Sequence, residues 1–170
     1  GGIRNFDDVK ELFNLGLEKV VLNTTGYQNQ DLIKQIIAFA GSSSVVVSVD
    51  VKKSLWGVYS VLTNGGTINT NINPIQYAKN MEELGVGEIL LNSIDKDGTM
   101  DGYDLKLIKQ VSESVSIPVV AVGGAGKFSH FNDAVKSGAS AVAAGSFFIY
   151  HGEHKAVLIT YPSSEIKNLI

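Results

Sequence analysis

The chain has 170 residues, 14 Lys and Arg against 17 Asp and Glu for a net charge of −3, 44% apolar residues, 18 glycines and no cysteine. This is enough apolar material for one core, and it excludes a disulfide framework, a zinc knuckle and a thiol nucleophile. A mildly acidic chain without a basic stripe is not expected to bind nucleic acid, and no apolar run reaches the roughly 18 residues of a membrane span.

The elements alternate along the chain. Short apolar runs predict strands over 19–23, 45–50, 88–92, 118–122 and 139–144, Val-rich as strands covered on both faces are. Amphipathic stretches predict helices over 6–15, 30–40, 74–84, 104–114 and 128–137. Phe6, Val9, Leu12 and Phe13 share one helical face, as do Ile33, Ile36, Ile37 and Ala40. Gly16, Gly41, Gly85 and Gly138 follow four of these helices as stop signals, and Pro74 sits at a helix start. Strand–helix alternation means parallel strands with right-handed crossovers. One interruption follows Asp50, where 51–66 reads as an inserted β-hairpin with turns near Gly57 and Gly65–Gly66. The opening Gly-Gly-Ile-Arg lacks the basic-then-apolar pattern of a signal peptide, so a cytoplasmic protein is expected.

The segments 1–24 and 123–146 align without a gap at an offset of 122, with Gly1/Gly123, Gly2/Gly124, Phe6/Phe128, Gly16/Gly138 and Val20/Val142 identical. Each copy is a Gly-Gly turn, a helix and a strand ending in small polar residues. Two strand units precede the second copy and none precedes the first, so duplication predicts two more upstream of residue 1. An eight-stranded (β/α)8 TIM barrel takes about 250 residues. The expectation is therefore α/β, a single incomplete barrel domain over 1–170 holding about strands 3–8, with the first strands missing and five complete.

Gly-Gly turns let backbone N–H groups approach an oxyanion. Gly1, Gly2 and Ile3 with Asn23 and Thr24 suggest one phosphate pocket; the 123–126 glycine turn with Gly145 and Ser146 suggests another, placed where barrels often bind phosphate. Two pockets related by a pseudo-twofold imply a ligand with a phosphate at each end. Asp50 closes a Val-rich strand, where a carboxylate points into a barrel mouth and can act as general acid or base; the alternative is a partner for Lys52. The run from Asn92 through Thr99 is dense in turn and polar residues, but its Asp-x-Asp-Gly lacks the later Glu of a calcium loop, so no metal is expected. His130, His151 and His154 show no ligand spacing and read as surface residues. Trp56 and Tyr59 are expected to pack within the hairpin.

Gly-Gly-Ile-Arg, Val-Leu-Asn-Thr, Val-Val-Val-Ser-Val-Asp-Val-Lys, Gly-Glu-Ile-Leu-Leu-Asn-Ser-Ile-Asp-Lys-Asp-Gly-Thr, Gly-Tyr-Asp and Val-Gly-Gly-Ala-Gly-Lys occur in this order. Together, from Gly1 to about Phe148, they resemble the cyclase subunits of imidazole glycerol phosphate synthase, barrels of the ribulose-phosphate-binding type. The resemblance implies a lyase that needs no cofactor. It would use ammonia from a glutaminase partner to convert a bisphosphorylated ribulosyl aminoimidazole into imidazole glycerol phosphate and an aminoimidazole carboxamide ribotide. It implies that Asp50 is the fifth-strand catalytic aspartate and that the first-strand aspartate is absent from this chain. Gly2, Asn23 and Thr24 match one phosphate site; Asp97, Gly98, Gly124, Gly145 and Ser146 match the other. Lys19 and Glu88 match two of four charged residues that gate ammonia at the barrel bottom, and Glu18 falls at the glutaminase interface. Asn92, implied to orient substrate with Asp97, replaces a common Thr. The tail after Tyr150 also departs from the family's charged last helix. Both departures resemble a branch that delivers ammonia for amidating surface-polysaccharide sugars. A sister isomerase shares the duplicated barrel but carries Thr-Asp where this chain has Asn92-Ser93. The remaining alternative is a non-catalytic phosphate-binding fragment.

Overall fold

A computed structural model describes residues 2–152 and 156–159. Gly1, His154 and most of the tail residues singled out above lie outside the described residues, as does the side chain of His151. The wall of the molecule is five parallel strands: β1 (Val20–Leu22), β2 (Val45–Lys53), β5 (Glu88–Ser93), β6 (Val119–Val122) and β7 (Ala141–Val142). They lie side by side in the order β1-β2-β5-β6-β7. The helix α1 (Phe6–Asn14) leads into β1, and α3 (Gln30–Ala40), α4 (Pro74–Glu83), α5 (Leu105–Ser112) and α6 (Phe128–Lys136) connect successive strands. This is part of a (β/α)8 barrel wall; among the described residues β1 and β7 do not pair with each other, so the sheet is open.

Period-two alternation sorts the strand residues. Val45, Val47, Val49 and Val51 of β2, Ile89 and Leu91 of β5, and Val119 and Ala121 of β6 point to the helical layer and are buried. The alternate residues, Val46, Ser48 and Asp50, then Glu88, Leu90 and Asn92, share the opposite, concave face. The helices place their apolar stripes on the convex side. Val9, Ile33, Ile36, Met81, Leu107 and Val111 come from four helices and join the strand residues in one core.

Helix starts are built locally. Asn5 opens α1 with a capping box: its Oδ1 accepts from the N–H groups of Asp7 and Asp8, and Asp8 accepts from the N–H of Asn5. Asn29, Asn73 and Asp104 cap α3, α4 and α5. The four expected stop glycines all have positive φ, between 84° and 104°. α1 and α6 begin and end at matching positions of the 122-residue offset, and the paired glycines Gly2 and Gly124 have φ of 97° and 108°. The repeat is thus present in the backbone.

Several short elements were not legible in the sequence. β1 leads into a five-residue helix, α2 (Thr24–Gln28), and β7 into a four-residue helix, α7 (Ser146–Ile149). Both are too short to show a period. The strands β8 (Tyr150–His151) and β9 (Ala156–Val157) form a small antiparallel pair after them. β7 is also shorter than expected, although the N–H groups of Ser140 and Ala143 continue its bonding to Val119 and Ala121.

After Asp50 the chain continues through β2 to Lys53. It returns antiparallel as β3 (Tyr59–Thr63), then pairs again as β4 (Ile68–Asn69). β1 takes the first part of one edge of β2 and β3 the last part, so the hairpin stands above the mouth of the wall. The expected packing is met by one aromatic only. The Tyr59 hydroxyl donates to both carboxylate oxygens of Asp104 at 3.0 and 2.9 Å, and Lys53 Nζ lies 5.3 Å from its ring. Trp56, by contrast, is 92% exposed in the turn that ends at Gly57.

Truncating Ile89, wholly buried between β5 and the helices, to Ala is expected to cost about 2–5 kcal/mol. The equally apolar but fully exposed Leu55, cut to Ala, stays within about 0.5 kcal/mol. Urea unfolding of the two variants checks both.

Candidate functional site at the strand ends

Parallel pairing of β2 with β5 sets Asp50 opposite Asn92 at the C-terminal end of the wall. The Asn92 amide donates to Asp50 Oδ1 at 3.2 Å, and the Ser48 hydroxyl donates to the same oxygen at 3.3 Å. Asp50 makes no ion pair with Lys52 among the described residues. Two donors aimed at one oxygen orient the carboxylate and leave its other oxygen facing the cleft, as an acid–base group requires. Asn92 Oδ1 is buried without a hydrogen-bond partner among the described residues. It packs under Gly123, where a Cβ would come within 3.1 Å of it.

Asp50 lies in the wall of a cleft of about 370 Å³ with Gly2, Ile3, Asn23, Thr24 and Ser48. The expected first pocket and the expected acid–base residue are therefore one space. The Asn23 amide donates to the Ser48 carbonyl at 3.2 Å, and Thr25 Oγ1 donates to the Ile3 carbonyl at 2.7 Å, which ties the 2–3 loop to the end of β1. The hairpin closes the far side: the N–H of Asn64 donates to Thr24 Oγ1 at 2.8 Å, and Gly65 lines the cleft. This contribution was not foreseen. Its only trace in the sequence is the Asn64-Gly65-Gly66 run, whose three positive φ values curl the turn toward Thr24.

The second pocket gathers all five expected residues, Asp97, Gly98, Gly124, Gly145 and Ser146, with Gly123 and Ala125. It is a cup of about 20 Å³, fit for the end of a ligand and not for a ligand whole. The N–H groups of Gly124, Gly145 and Ser146 have no acceptor among the described residues and can bind an oxyanion. Helices of four and five residues bring little dipole, so these N–H groups carry the case. Asp97 contributes differently: its N–H is taken by the Ser93 carbonyl and its side chain is anionic, so it can hold hydroxyls or turn structure but repels phosphate. Tyr103 reaches across to the Ala143 carbonyl at 2.9 Å and braces β7; burial pushes its phenol up to about 12, so it remains a donor.

At the opposite end of the same concave face, Lys19 and Glu88 form an ion pair of 2.7 Å across the start of β2. Glu18 is exposed on this rim beside the exposed Leu15 and Leu17. His130, read as a surface residue, is instead half-buried and accepts a hydrogen bond from Gly126. Among the described residues no three His, Cys, Asp or Glu side chains are grouped to hold a metal ion.

An open wall of parallel strands with helices on one side, and loops gathered at the C-terminal strand ends, defines a protein of the (β/α)8 barrel class. Residues 1–155 match the family model described as "Histidine biosynthesis protein", and the chain belongs to that family. It is 48% identical over 147 residues to the imidazole glycerol phosphate synthase subunit HisF of Sulfurisphaera tokodaii, covering 86% of this chain and 59% of the relative. The subunits of the same name from Sulfolobus acidocaldarius and Streptomyces coelicolor are 47% and 46% identical over 147 and 148 residues, covering 86% and 87% of this chain. The chain spans 59% of the length of each.

Adding a Cβ at Gly124 would drive it into the Gly102 carbonyl at a φ of 108°, whereas Gly2, at 97°, has nothing within 4 Å. Gly124→Ala is therefore expected to destabilise by clash plus backbone strain, about 3 kcal/mol or more, and Gly2→Ala by strain alone, about 1 kcal/mol. Thermal unfolding of both variants separates the two.

Proposed function

We propose that this chain carries the acid–base half of an ammonia-dependent cyclase of the imidazole glycerol phosphate synthase type. Its substrate is a ribulosyl aminoimidazole with a phosphate at each end. One observation carries the reading: a doubly oriented carboxylate, Asp50, lines one cleft at the strand ends, a separate glycine-lined cup opens at the ends of the later strands, and the Lys19–Glu88 pair stands at the other end of the same face.

Each part of the site has work in that reaction. The N–H groups of Gly2 and Thr24 hold one phosphate and those of Gly124, Gly145 and Ser146 the other, which lays the ligand across the strand ends. Asp50 then moves a proton at the carbon–nitrogen centre between the phosphates, and Asn92 keeps its carboxylate turned toward that centre. Ring closure needs ammonia as a nucleophile. Lys19 and Glu88 stand where ammonia would enter from a glutaminase docked on the rim with Glu18, Leu15 and Leu17. The polar and apolar mixture of that rim suits a protein partner.

Asp50→Asn keeps the shape of the side chain and removes its proton-transfer capacity. In the full-length protein turnover is expected to fall by about a hundredfold or more, while binding of the bisphosphorylated substrate, followed by calorimetry, changes little. Loss of binding with turnover retained would overturn the assignment.

A further inference from the structure

His130 is the third residue of α6, and its imidazole is wedged between two loops that line the second cup. Nδ1 stands 3.1 Å from the nitrogen of Gly126. A backbone N–H can only donate, so Nδ1 is the acceptor and the ring is the neutral tautomer protonated on Nε2. The face of the ring lies against Gly102: a Cβ there would meet Nε2, Cδ2 and Cε1 at 3.6–3.7 Å. Gly102 in turn donates its N–H to the carbonyl of Gly124 at 2.7 Å. One imidazole therefore joins the 97–102 loop, which brings Asp97 and Gly98, to the 123–126 loop, which brings Gly124.

We propose that His130 is a positioning residue that holds the 123–126 loop in its anion-binding form, and that it does so only while Nδ1 is unprotonated. This rests on reading the second cup as an anion site. Protonated imidazole has no acceptor, so the Gly126 N–H loses its partner and meets an N–H donor instead. The turn carrying Gly124 then loses one of its restraints and keeps the Gly102 bond and its backbone packing, so its N–H groups are held less firmly toward the cup.

Protons can reach the ring. His130 faces an open depression of about 310 Å³ shared with Met100, Asp101 and Lys127. The charged groups around it come from each element packed against it: Lys96 and Asp101 from the 93–104 loop, Lys127 at the head of α6 and Asp133 within α6. Burial, then the Lys127 ammonium, holds the imidazole below its ordinary range, with Asp133 and Asp101 opposing. The neutral form is therefore the resting form at neutral pH. A group lowered in the folded state supports the fold fully above the ordinary histidine value and loses that support as pH falls through its own lower value.

Sulfate is the probe, because its charge does not change between about pH 5.5 and 8, whereas phosphate and histidine titrate there. Amide shifts of Gly124 and Gly145 in the full chain report the second cup alone. The wild-type affinity is expected to fall about fivefold on acidification, the worth of one hydrogen bond. Charge alone predicts the reverse, since an imidazolium near the cup would attract sulfate, so tighter binding at low pH overturns the proposal. His130→Asn places Oδ1 where Nδ1 stood and cannot titrate; it should bind as the wild type does at pH 8 and show no pH dependence. His130→Phe keeps the ring on Gly102 without an acceptor and should bind weakly throughout. Should the Phe variant not fold, the Asn variant and the wild-type profile still decide. An Asn variant that follows the wild-type profile overturns the proposal, as does a Phe variant as tight as wild type. Sulfate absent from the cup in every variant at every pH overturns the anion reading itself, and this proposal with it.

Discussion

The pairing of β2 with β5 is the constraint on which the rest depends. Its parallel register fixes Asp50 opposite Asn92 and Val46 opposite Glu88. A slip of one residue would turn the buried valines of β2 onto the open face and put Asp50 into the helical layer. The cost of burying that carboxylate without a partner, together with the exposed valines, forbids the slip. The same alternation that builds the core thus delivers Glu88 at one end of the concave face, Ser48 and Leu90 in its middle, and Asp50 and Asn92 at the other end. Core and site are two readings of one pattern.

Close approach of glycines is what brings the loops together above that face. Gly123, Gly124 and Gly126 have no room for a Cβ, since the carbonyls of Ser93, Gly102 and Met100 lie where one would stand. The loop after β6 therefore rests directly on the loop after β5, and the second cup forms at their meeting. In the first copy of the repeat, Gly2 has open space around it. The two halves share their backbone turn but differ in what presses on it, and the first pocket is correspondingly wide. There the inserted hairpin supplies the missing wall, through Asn64 on Thr24.

The periodic elements were legible because their signals are local. The five helices carry apolar stripes, four of them followed by a terminal glycine, and the five parallel strands carry short apolar runs rich in Val. The 122-residue repeat pointed to both pockets: Gly2, Ile3, Asn23 and Thr24 line the first and Gly123, Gly124, Ala125, Gly145 and Ser146 the second, whereas Gly126 faces the depression beside His130. What escaped has no period. α2 and α7 are one turn long, Trp56 looked like a packing aromatic yet is exposed, and His130 has no companion at ligand spacing. Its partner is a backbone N–H, which leaves no mark on the sequence. Asp97 is grouped with the phosphate residues by resemblance, and it does line the cup; only the folded structure shows that its N–H is already spent on Ser93.

By itself the sequence determined the class of fold, the duplication, the place of Asp50 at a strand end and the family. Each of these rests on short-range patterns of polarity, propensity and glycine placement. The tertiary structure alone decided that Asn92 and Ser48 orient Asp50, that the hairpin turn completes the first cleft and that one imidazole ties two loops together. The contacts of Asn92 with Asp50 and of Asn64 with Thr24 join residues 42 and 40 positions apart in the chain, and the imidazole's depends on which nitrogen of a ring meets which amide. Such matters are settled by register and by the close packing of backbone on backbone, and no local pattern records them.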